Sequence, residues 1–179
     1  MAPVEIIKKY YQEGTELYDI LLDHSFSVAD KSLSIALMHP EMNLDTAFIY
    51  EASMLHDIGI FKTDAEDILC FGEFPYVCHG YLGSDLLKAE GYPRHALVCE
   101  RHTGTGLSLE TIIKGNLPVP KRNMLPESLE EQLICFADKF YSKTRPQKEK
   151  SIDKVRKNLA KNGEESVKRF DNWCKLFLE

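Results

Sequence analysis

The sequence lacks three features that would point to particular classes of protein. Its five cysteines include no CxxC pair, and their odd number argues against a disulfide framework or a cysteine zinc site. No apolar run reaches the length of a membrane-spanning helix. The N-terminus carries charges throughout and has no apolar segment of signal-peptide length. We therefore expect a cytoplasmic protein that does not enter the membrane.

Basic charge is also scarce, because 22 Lys and Arg residues face 28 Asp and Glu residues and leave a net charge of −6. A nucleic-acid backbone attracts basic surfaces, so this balance argues against nucleic acid as a partner. A small phosphorylated substrate remains compatible with the charge, since bound metal ions supply positive charge that the side chains lack.

Helical periodicity dominates the 179 residues and no series of alternating strands is evident, so we predict an all-α fold. We predict a single domain over residues 1–179, with a core that spans about residues 20–145. Asn43 is predicted as the N-cap of a helix that ends at Gly59. Residues 60–77 are predicted to be a long loop with one short turn.

The C-terminal segment, residues 146–179, carries two apolar stripes at helical spacing, one on each side of Gly163. The stripes predict two amphipathic helices that pack on the same domain as the rest of the chain. The alternative interpretation is a helix that forms a homodimer or binds a partner.

Polar residues within apolar helical stripes are the most informative part of the sequence. His79 and His102 both follow this pattern, and the His56-Asp57 pair closes an apolar helix. Asp138 also lies among apolar residues, where a carboxylate is costly to bury without a cation. A single histidine in such a place is more often structural, but a shared metal centre explains all of these residues together. Imidazole and carboxylate ligands suit iron, manganese or zinc in an open catalytic site.

The order of these residues resembles that of the HD superfamily of metal-dependent phosphohydrolases. The blocks are similar to those of bacterial YqeK-type symmetrical diadenosine tetraphosphate hydrolases, and still more to HDIG-domain proteins of archaea and bacteria. The resemblance covers about residues 20–145. It lies in His24, the His56-Asp57 pair of LHDIGIF, His79 of CHGYLGSDLL, His102 of ERHTGTGLS and Asp138 of FADKF.

The resemblance implies an HD-domain helical bundle with a binuclear metal site, in which the catalytic Asp57 bridges two divalent ions. It implies that these ions generate a hydroxide, which attacks a phosphoester or phosphoanhydride bond of a nucleotide-type substrate. Two other functions stay open: a sensor that binds a nucleotide without turnover, and a di-iron oxygenase of the same superfamily. The implied ligands are His24, His56, Asp57 and Asp138 for the first ion, and Asp57, His79 and His102 for the second.

Two basic residues are candidates for catalytic contacts with the substrate phosphate. Many relatives have a lysine directly after the glycine that is Gly59 here, whereas this chain has Ile60 there and Lys62 two positions later. Lys62 is therefore a candidate phosphate contact, and a solvated surface lysine is the alternative. The resemblance also implies a position near the nucleotide for Arg145.

Two further residues next to the predicted centre have less specific roles. Arg101 directly precedes His102 and is a candidate for substrate binding or a surface charge. His95 lies seven residues before His102, on a similar helix face, and is a candidate for the pocket lining. We favour a structural role for His95, because a hydrogen-bonded core histidine is the commoner case.

Overall fold

The computed structural model describes residues 2–179, and most of these residues are helical. None of the helices in this part of the chain is long and apolar enough to span a membrane. The α-helices of residues 2–179 are α1 (Pro3–Ile7), α2 (Glu16–Met38), α3 (Thr46–Leu55), α4 (His79–Ala89), α5 (Pro93–Arg101), α6 (Leu109–Lys114), α7 (Leu129–Asp138), α8 (Ile152–Leu159) and α9 (Glu164–Leu178).

A small three-stranded sheet corrects the prediction of a strictly all-α fold. The sheet lies within residues 60–77 and consists of β1 (Thr63–Ala65), β2 (Cys70–Phe71) and β3 (Phe74–Pro75). β1 lies in the middle, antiparallel to β2 and parallel to β3. Strands of two or three residues are too short to show an alternation of apolar and polar side chains, so the sequence of this segment is typical of a loop.

The start and the end of α3 also differ from the prediction. Asn43 adopts a left-handed conformation with φ of 49°, and the N-cap of α3 is Asp45, whose carboxylate accepts a hydrogen bond from Phe48 N at 3.0 Å. The helix ends at Leu55, four residues before Gly59. Asn and Asp are both good N-caps, so residue type alone does not choose between the two positions.

Close packing, rather than helix termination, explains the glycine at position 59. A Cβ atom on Gly59 would lie 2.3 Å from the carbonyl oxygen of His79 and 2.5 Å from the amide nitrogen of Gly83. Because both neighbours are backbone atoms of α4, the turn after α3 can approach α4 this closely only without a side chain. The contact therefore lies between the turn that carries the His56-Asp57 pair and the start of α4, which carries His79.

The C-terminal helices contribute to the largest core cluster of the protein. Phe170, Trp173 and Phe177 of α9 are buried in the same cluster as Phe136 of α7 and apolar residues of α2 and α3. Trp173 also donates a hydrogen bond from Nε1 to Gln132 Oε1 at 2.9 Å. The two helices predicted after residue 146 are therefore present, and their apolar faces pack on the helices that carry the predicted ligands.

Candidate metal centre

The six predicted metal ligands come from helix ends and one helix interior, and they meet inside the protein. His24 lies in the middle of α2, whereas the His56-Asp57 pair directly follows α3. His79 is the first residue of α4, His102 directly follows α5, and Asp138 is the last residue of α7. All six are buried: His24, His56, Asp57, His79, His102 and Asp138.

The six side chains form two groups that share Asp57. In each group, one ligand atom from every residue lies within 4.8 Å of the others. The structure thus assembles the residues in the same two sets that the family resemblance implies. The first group is His24, His56, Asp57 and Asp138, and the second group is Asp57, His79 and His102.

Three of the imidazoles are oriented in the same way, by a hydrogen bond from Nδ1 to the backbone carbonyl oxygen of the residue three positions earlier. The distance from Nδ1 to this oxygen is 2.6 Å for His56 and His79 and 2.7 Å for His102. A carbonyl only accepts, so each Nδ1 donates and each Nε2 is left to face the centre. This arrangement is typical of histidines that bind metal through Nε2. The carbonyls belong to Ser53, Tyr76 and Cys99.

The second group fits a cation because two imidazole lone pairs face each other. Nε2 of His79 lies 3.0 Å from Nε2 of His102, and neither atom has a proton to donate when both Nδ1 atoms donate. Burial and the neighbouring His102 lower the pKa of His79 to about 3, and burial lowers the pKa of His102. Two neutral nitrogens and the nearby carboxylate of Asp57, 3.2 Å from His102 Nε2, suit a divalent ion.

The first group combines two carboxylates with two imidazoles. His24 Nε2 lies 2.9 Å from Asp138 Oδ1 and 3.1 Å from Asp57 Oδ2. His56 Nε2 lies 3.0 Å from Asp57 Oδ2, but this buried nitrogen has no hydrogen-bond partner among the described residues. A buried polar atom without such a partner is costly, and a cation among these four side chains would satisfy it. The donor set therefore fits a second divalent ion.

Charges inside the centre keep both carboxylates ionised. Burial opposes ionisation, but His56 and nearby lysines hold the pKa values of Asp57 and Asp138 well below their usual range. Burial likewise opposes a charged imidazole at His56, but Asp57 and Asp138 raise the pKa of His56 to about 10. Without metal, a proton on His56 therefore partly balances the negative charge that would attract a cation.

Two lysines that were not predicted as site residues lie beside the carboxylates. Lys143 Nζ lies 2.6 Å from Asp57 Oδ2, and Lys139 Nζ lies 2.7 Å from Asp138 Oδ2. Lysine is usually exposed, and neither residue stands in an apolar stripe that would mark it as buried. The position of Lys139 directly after Asp138 is the one local sign of its proximity to the centre.

A cavity of about 590 Å³ lies beside the first group and reaches the solvent. His24 and Asp138 line it on the side of the centre, and the lysines add positive charge. The cavity also reaches Asn158 in α8, so the C-terminal segment contributes to its lining. Its polar and charged lining includes Asp64, Asp67, Tyr76, Lys139, Tyr141, Ser142, Lys143, Thr144, Lys150, Asn158 and Asn162.

None of the three predicted substrate contacts, Lys62, Arg101 and Arg145, lines this cavity in the described structure. Arg101 is ion-paired with Glu131 at 2.9 Å and Glu127 at 3.3 Å, whereas Arg145 is exposed. Their contact with a substrate stays a prediction.

His95 lies outside the cavity lining as well and has partners of its own. Its Nε2 lies 3.1 Å from Glu51 Oε2, and its ring packs edge-on against Phe48 with centroids 4.9 Å apart. These contacts give His95 the structural environment that we favoured from its sequence position.

Comparisons with known proteins reveal archaeal relatives. The chain is 29% identical over 153 residues to an uncharacterised protein of Methanocaldococcus jannaschii, covering 83% of this chain and 82% of that protein. It is 28% identical over 162 residues to a tRNA (cytidine(56)-2'-O)-methyltransferase of Thermoplasma volcanium, and 30% identical over 128 residues to a protein of the same name from Picrophilus torridus. These two matches cover 89% and 71% of this chain, but only 43% and 33% of the relatives. No solved structure matches the chain significantly.

A family model gives the broader assignment. The model of the HD domain matches residues 21–142, which is more than half of the chain and includes all six residues of the centre. The resemblance of the sequence motifs to this family is thereby confirmed. The chain belongs to the HD-domain family.

Proposed function

We propose that this protein is a metal-dependent phosphohydrolase that cleaves a phosphoester or phosphoanhydride bond of a nucleotide-type substrate. The observation that carries the proposal is the position of Asp57, which is shared by two groups of metal-type ligands beside an open cavity. Structural metal sites are usually closed, whereas a catalytic site needs space for a substrate. The roles of the six residues as ligands are part of this proposal.

The side chains of the centre would hold two divalent ions, of iron, manganese or zinc. When bound, such ions supply positive charge for phosphate oxygens and lower the pKa of a water molecule. The backbone hydrogen bonds of His56, His79 and His102 keep their Nε2 atoms directed into the centre. Asp57 and Asp138 stay ionised, so the carboxylates are ready to bind cations without losing a proton.

The cavity wall would bind the rest of the substrate. Lys139 and Lys143 place two ammonium groups within ion-pair distance of the carboxylates and next to the cavity, where negative charge on a phosphoryl group would be stabilised. The volume of about 590 Å³ is within the range of small-molecule sites. Amide and carboxylate side chains of the lining, such as Asn158 and Asp64, are suited to hydrogen bonds with a sugar or a base.

A phosphate-release assay on metal-loaded protein tests the proposal. The screen covers nucleoside mono-, di- and triphosphates, dinucleoside polyphosphates and simple phosphoesters, each with manganese, iron or zinc. We expect release by the wild type and by His95→Ala, because His95 lies outside the centre. Asp57→Ala should reduce release by at least about 1,000-fold, since both groups lose their shared ligand. A folded, metal-loaded wild type without activity on the whole panel would contradict the proposal.

The same preparations separate hydrolysis from the two alternatives. A nucleotide sensor would bind a nucleotide from the panel, as measured by calorimetry, without releasing phosphate. A di-iron oxygenase would consume oxygen and show the absorbance of an iron pair. Phosphate release without oxygen consumption would favour the hydrolase over both.

The names of two relatives raise tRNA as a second candidate ligand. More than half of each of those proteins has no counterpart in this chain, so we do not propose methyl transfer for it. The net charge of −6 also favours a small substrate over a nucleic acid. Electrophoretic mobility of a tRNA transcript with the metal-loaded protein at low salt tests this preference. We expect no shift, and a salt-dependent shift at micromolar protein would contradict it.

A further inference from the structure

Three lysines line the cavity beside the centre, and two of them are held in place by backbone carbonyls. Lys139 Nζ donates to the carbonyl oxygen of His102 at 3.0 Å, in addition to its ion pair with Asp138. Lys150 Nζ donates to the carbonyl oxygen of Tyr141 at 2.9 Å and lies 3.3 Å from that of Lys139. These bonds hold both ammonium groups in fixed positions.

Lys143 differs because its partners all belong to the centre and the cavity. Its Nζ lies 2.6 Å from Asp57 Oδ2 and 5.5 Å from the centroid of the Tyr76 ring. No backbone carbonyl accepts from it within the described residues. The side chain is 11% exposed and lines the cavity, so the ammonium lies at the boundary between the carboxylate and the open space.

The partner of Lys143 is the carboxylate that both ligand groups share. Asp57 Oδ2 also lies 3.0 Å from His56 Nε2 and 3.1 Å from His24 Nε2. Lys143 therefore contacts the same carboxylate oxygen that faces these two imidazoles. The ammonium of Lys143 would be repelled by divalent ions bound at Asp57, and the same ions would take over neutralisation of the carboxylate. Lys143 would then need a new anionic partner.

The geometry of the wall restricts where that partner can lie. Lys143 also lines the cavity, whose lining includes the neighbouring Tyr76, Ser142 and Thr144. A lysine ammonium has three donors on a flexible stem, so it can turn from Asp57 to the cavity by changes in its own side-chain torsions. A lysine ammonium binds phosphate through charge-assisted hydrogen bonds, and phosphate is the anionic group that the proposed function would bring to this cavity.

We propose that Lys143 is a phosphate-binding residue that exchanges partners, pairing with Asp57 in the metal-free protein and with the phosphate of a bound ligand in the metal-loaded protein. The ligand class is inorganic phosphate or a phosphate monoester. The inference rests on the proposed function for the loading of the centre with divalent ions and for the choice of phosphate, and it does not require turnover.

The experiment measures two affinities by isothermal titration calorimetry. The first is the affinity of metal-free protein for Mn²⁺, and the second is the affinity of Mn²⁺-loaded protein for inorganic phosphate. The variants are Lys143→Met, which keeps the length of the stem without the charge, and Lys143→Arg, which keeps a cation. Lys148→Met is the matched control, because Lys148 is an exposed lysine of the same segment and lies outside the cavity lining.

We expect opposite shifts for the charge-removing variant. Lys143→Met should bind Mn²⁺ more tightly, by roughly tenfold, because the competing ammonium is gone. It should bind phosphate more weakly, by at least roughly tenfold, because a charge-assisted hydrogen bond is lost. Lys143→Arg should bind phosphate within about threefold of the wild type, and Lys148→Met should match the wild type in both titrations.

Unchanged phosphate affinity in Lys143→Met, an unchanged Mn²⁺ affinity, or a wild type that binds no phosphate in the presence of Mn²⁺ would overturn the inference. Thermal melts of the Mn²⁺-loaded variants check the fold, and Lys143→Gln replaces the methionine variant if that one does not fold. The inference and the proposed function can fail separately. If the protein hydrolyses nothing but its phosphate affinity depends on Lys143, the inference stands and the proposed hydrolysis is wrong. If the protein is a hydrolase but Lys143→Met binds phosphate as tightly as the wild type, the proposed function stands and the inference is wrong.

Discussion

Each of the two ring nitrogens of His56 has a defined neighbour. Nδ1 donates to the Ser53 carbonyl oxygen at 2.6 Å, and Nε2 faces Asp57 Oδ2 at 3.0 Å. In the metal-free protein the two carboxylates favour a proton on Nε2, against the effect of burial, and raise the pKa of His56 to about 10. A metal ion at this atom has to replace that proton, because only an unprotonated nitrogen can be a ligand.

Metal binding is therefore expected to release about one proton per chain from His56 at pH 7. The sign follows from the raised pKa: the proton is bound below about pH 10, so the affinity for metal should rise with pH from 7 towards 10. The rise approaches about tenfold per pH unit for this single group. Titration with Mn²⁺ in buffers of different ionisation enthalpy measures the released protons. A binding enthalpy independent of the buffer would contradict the prediction.

Replacement of His79 by Ala is expected to remove one ion and leave the other. His79 belongs to the second group alone, whereas Asp57 belongs to both groups. Elemental analysis should give about two metal equivalents for the wild type, about one for His79→Ala and close to none for Asp57→Ala. His95→Ala is the control, since this imidazole pairs with Glu51 and lies outside both groups. An unchanged metal content in Asp57→Ala would refute this assignment.

At the scale of the helices, periodicity and caps made much of the architecture predictable. The apolar stripes on the two sides of Gly163 predict two C-terminal helices, and α8 and α9 lie there. Cap positions are harder to predict, because Asp45 rather than Asn43 is the N-cap of α3. Several adjacent residues have good capping chemistry there, and tertiary packing chooses among them.

Other parts of the structure have no periodic signal. The strands of the sheet are at most three residues long, and α6 has only six residues between two loops. Such elements depend on contacts with the rest of the molecule, and their own sequence is too short to specify them. Five of the six candidate ligands could be predicted because polar residues in apolar stripes are unusual, and His24 was predicted only from the family resemblance. Lys143 could not be predicted, because nothing in its local sequence indicates that it lies beside Asp57.

Gly59→Ala tests the close contact between the turn after α3 and α4. The added Cβ would lie 2.3 Å from the His79 carbonyl oxygen, so the turn and the helix must separate. We expect a loss of about 3 kcal/mol in the free energy of unfolding. Because the separation would move His79 away from Asp57, weaker binding at the second group should accompany the loss.

Denaturant unfolding of the metal-free variants and Mn²⁺ titration measure the two effects. Gly115→Ala serves as the control, because its Cβ would meet the Thr111 carbonyl oxygen at 3.1 Å and otherwise only the side chain of Leu117. Wild-type stability in Gly59→Ala would show that the contact does not limit the packing.

Phe177→Ala tests whether α9 is part of the structural core. Phe177 is fully buried and its ring centroid lies 5.6 Å from that of Phe136 in α7. Loss of this side chain should cost about 3–5 kcal/mol in the free energy of unfolding, because a cavity remains in the core. Leu178→Ala is the neighbouring control: Leu178 is 41% exposed, so its replacement should change stability by at most about 0.5 kcal/mol. Equal denaturation midpoints for the two variants would contradict the prediction.

At the scale of the whole molecule, the centre connects helices that are far apart in the sequence. His24 of α2 lies 2.9 Å from Asp138 of α7, although 114 residues separate them. The two groups therefore form only when α2, α3, α4, α5 and α7 are folded together, so we expect metal binding and folding to be coupled. Ions bound to the native state should stabilise the entire bundle by mass action. The same packing explains why α8 and α9, through the core that they share with α7, support a site to which they supply no ligand.

Activity as a function of metal content tests whether Asp57 is shared by two ions of one hydrolytic centre. The most active substrate of the phosphate-release screen is used, and metal-free protein is titrated with Mn²⁺ in fractions of an equivalent. We expect phosphate release to rise until two equivalents per chain are bound and then to stay constant, with no release at any ratio for Asp57→Ala. Full activity in metal-free protein, or activity that saturates identically in Asp57→Ala, would show that the shared carboxylate is not required.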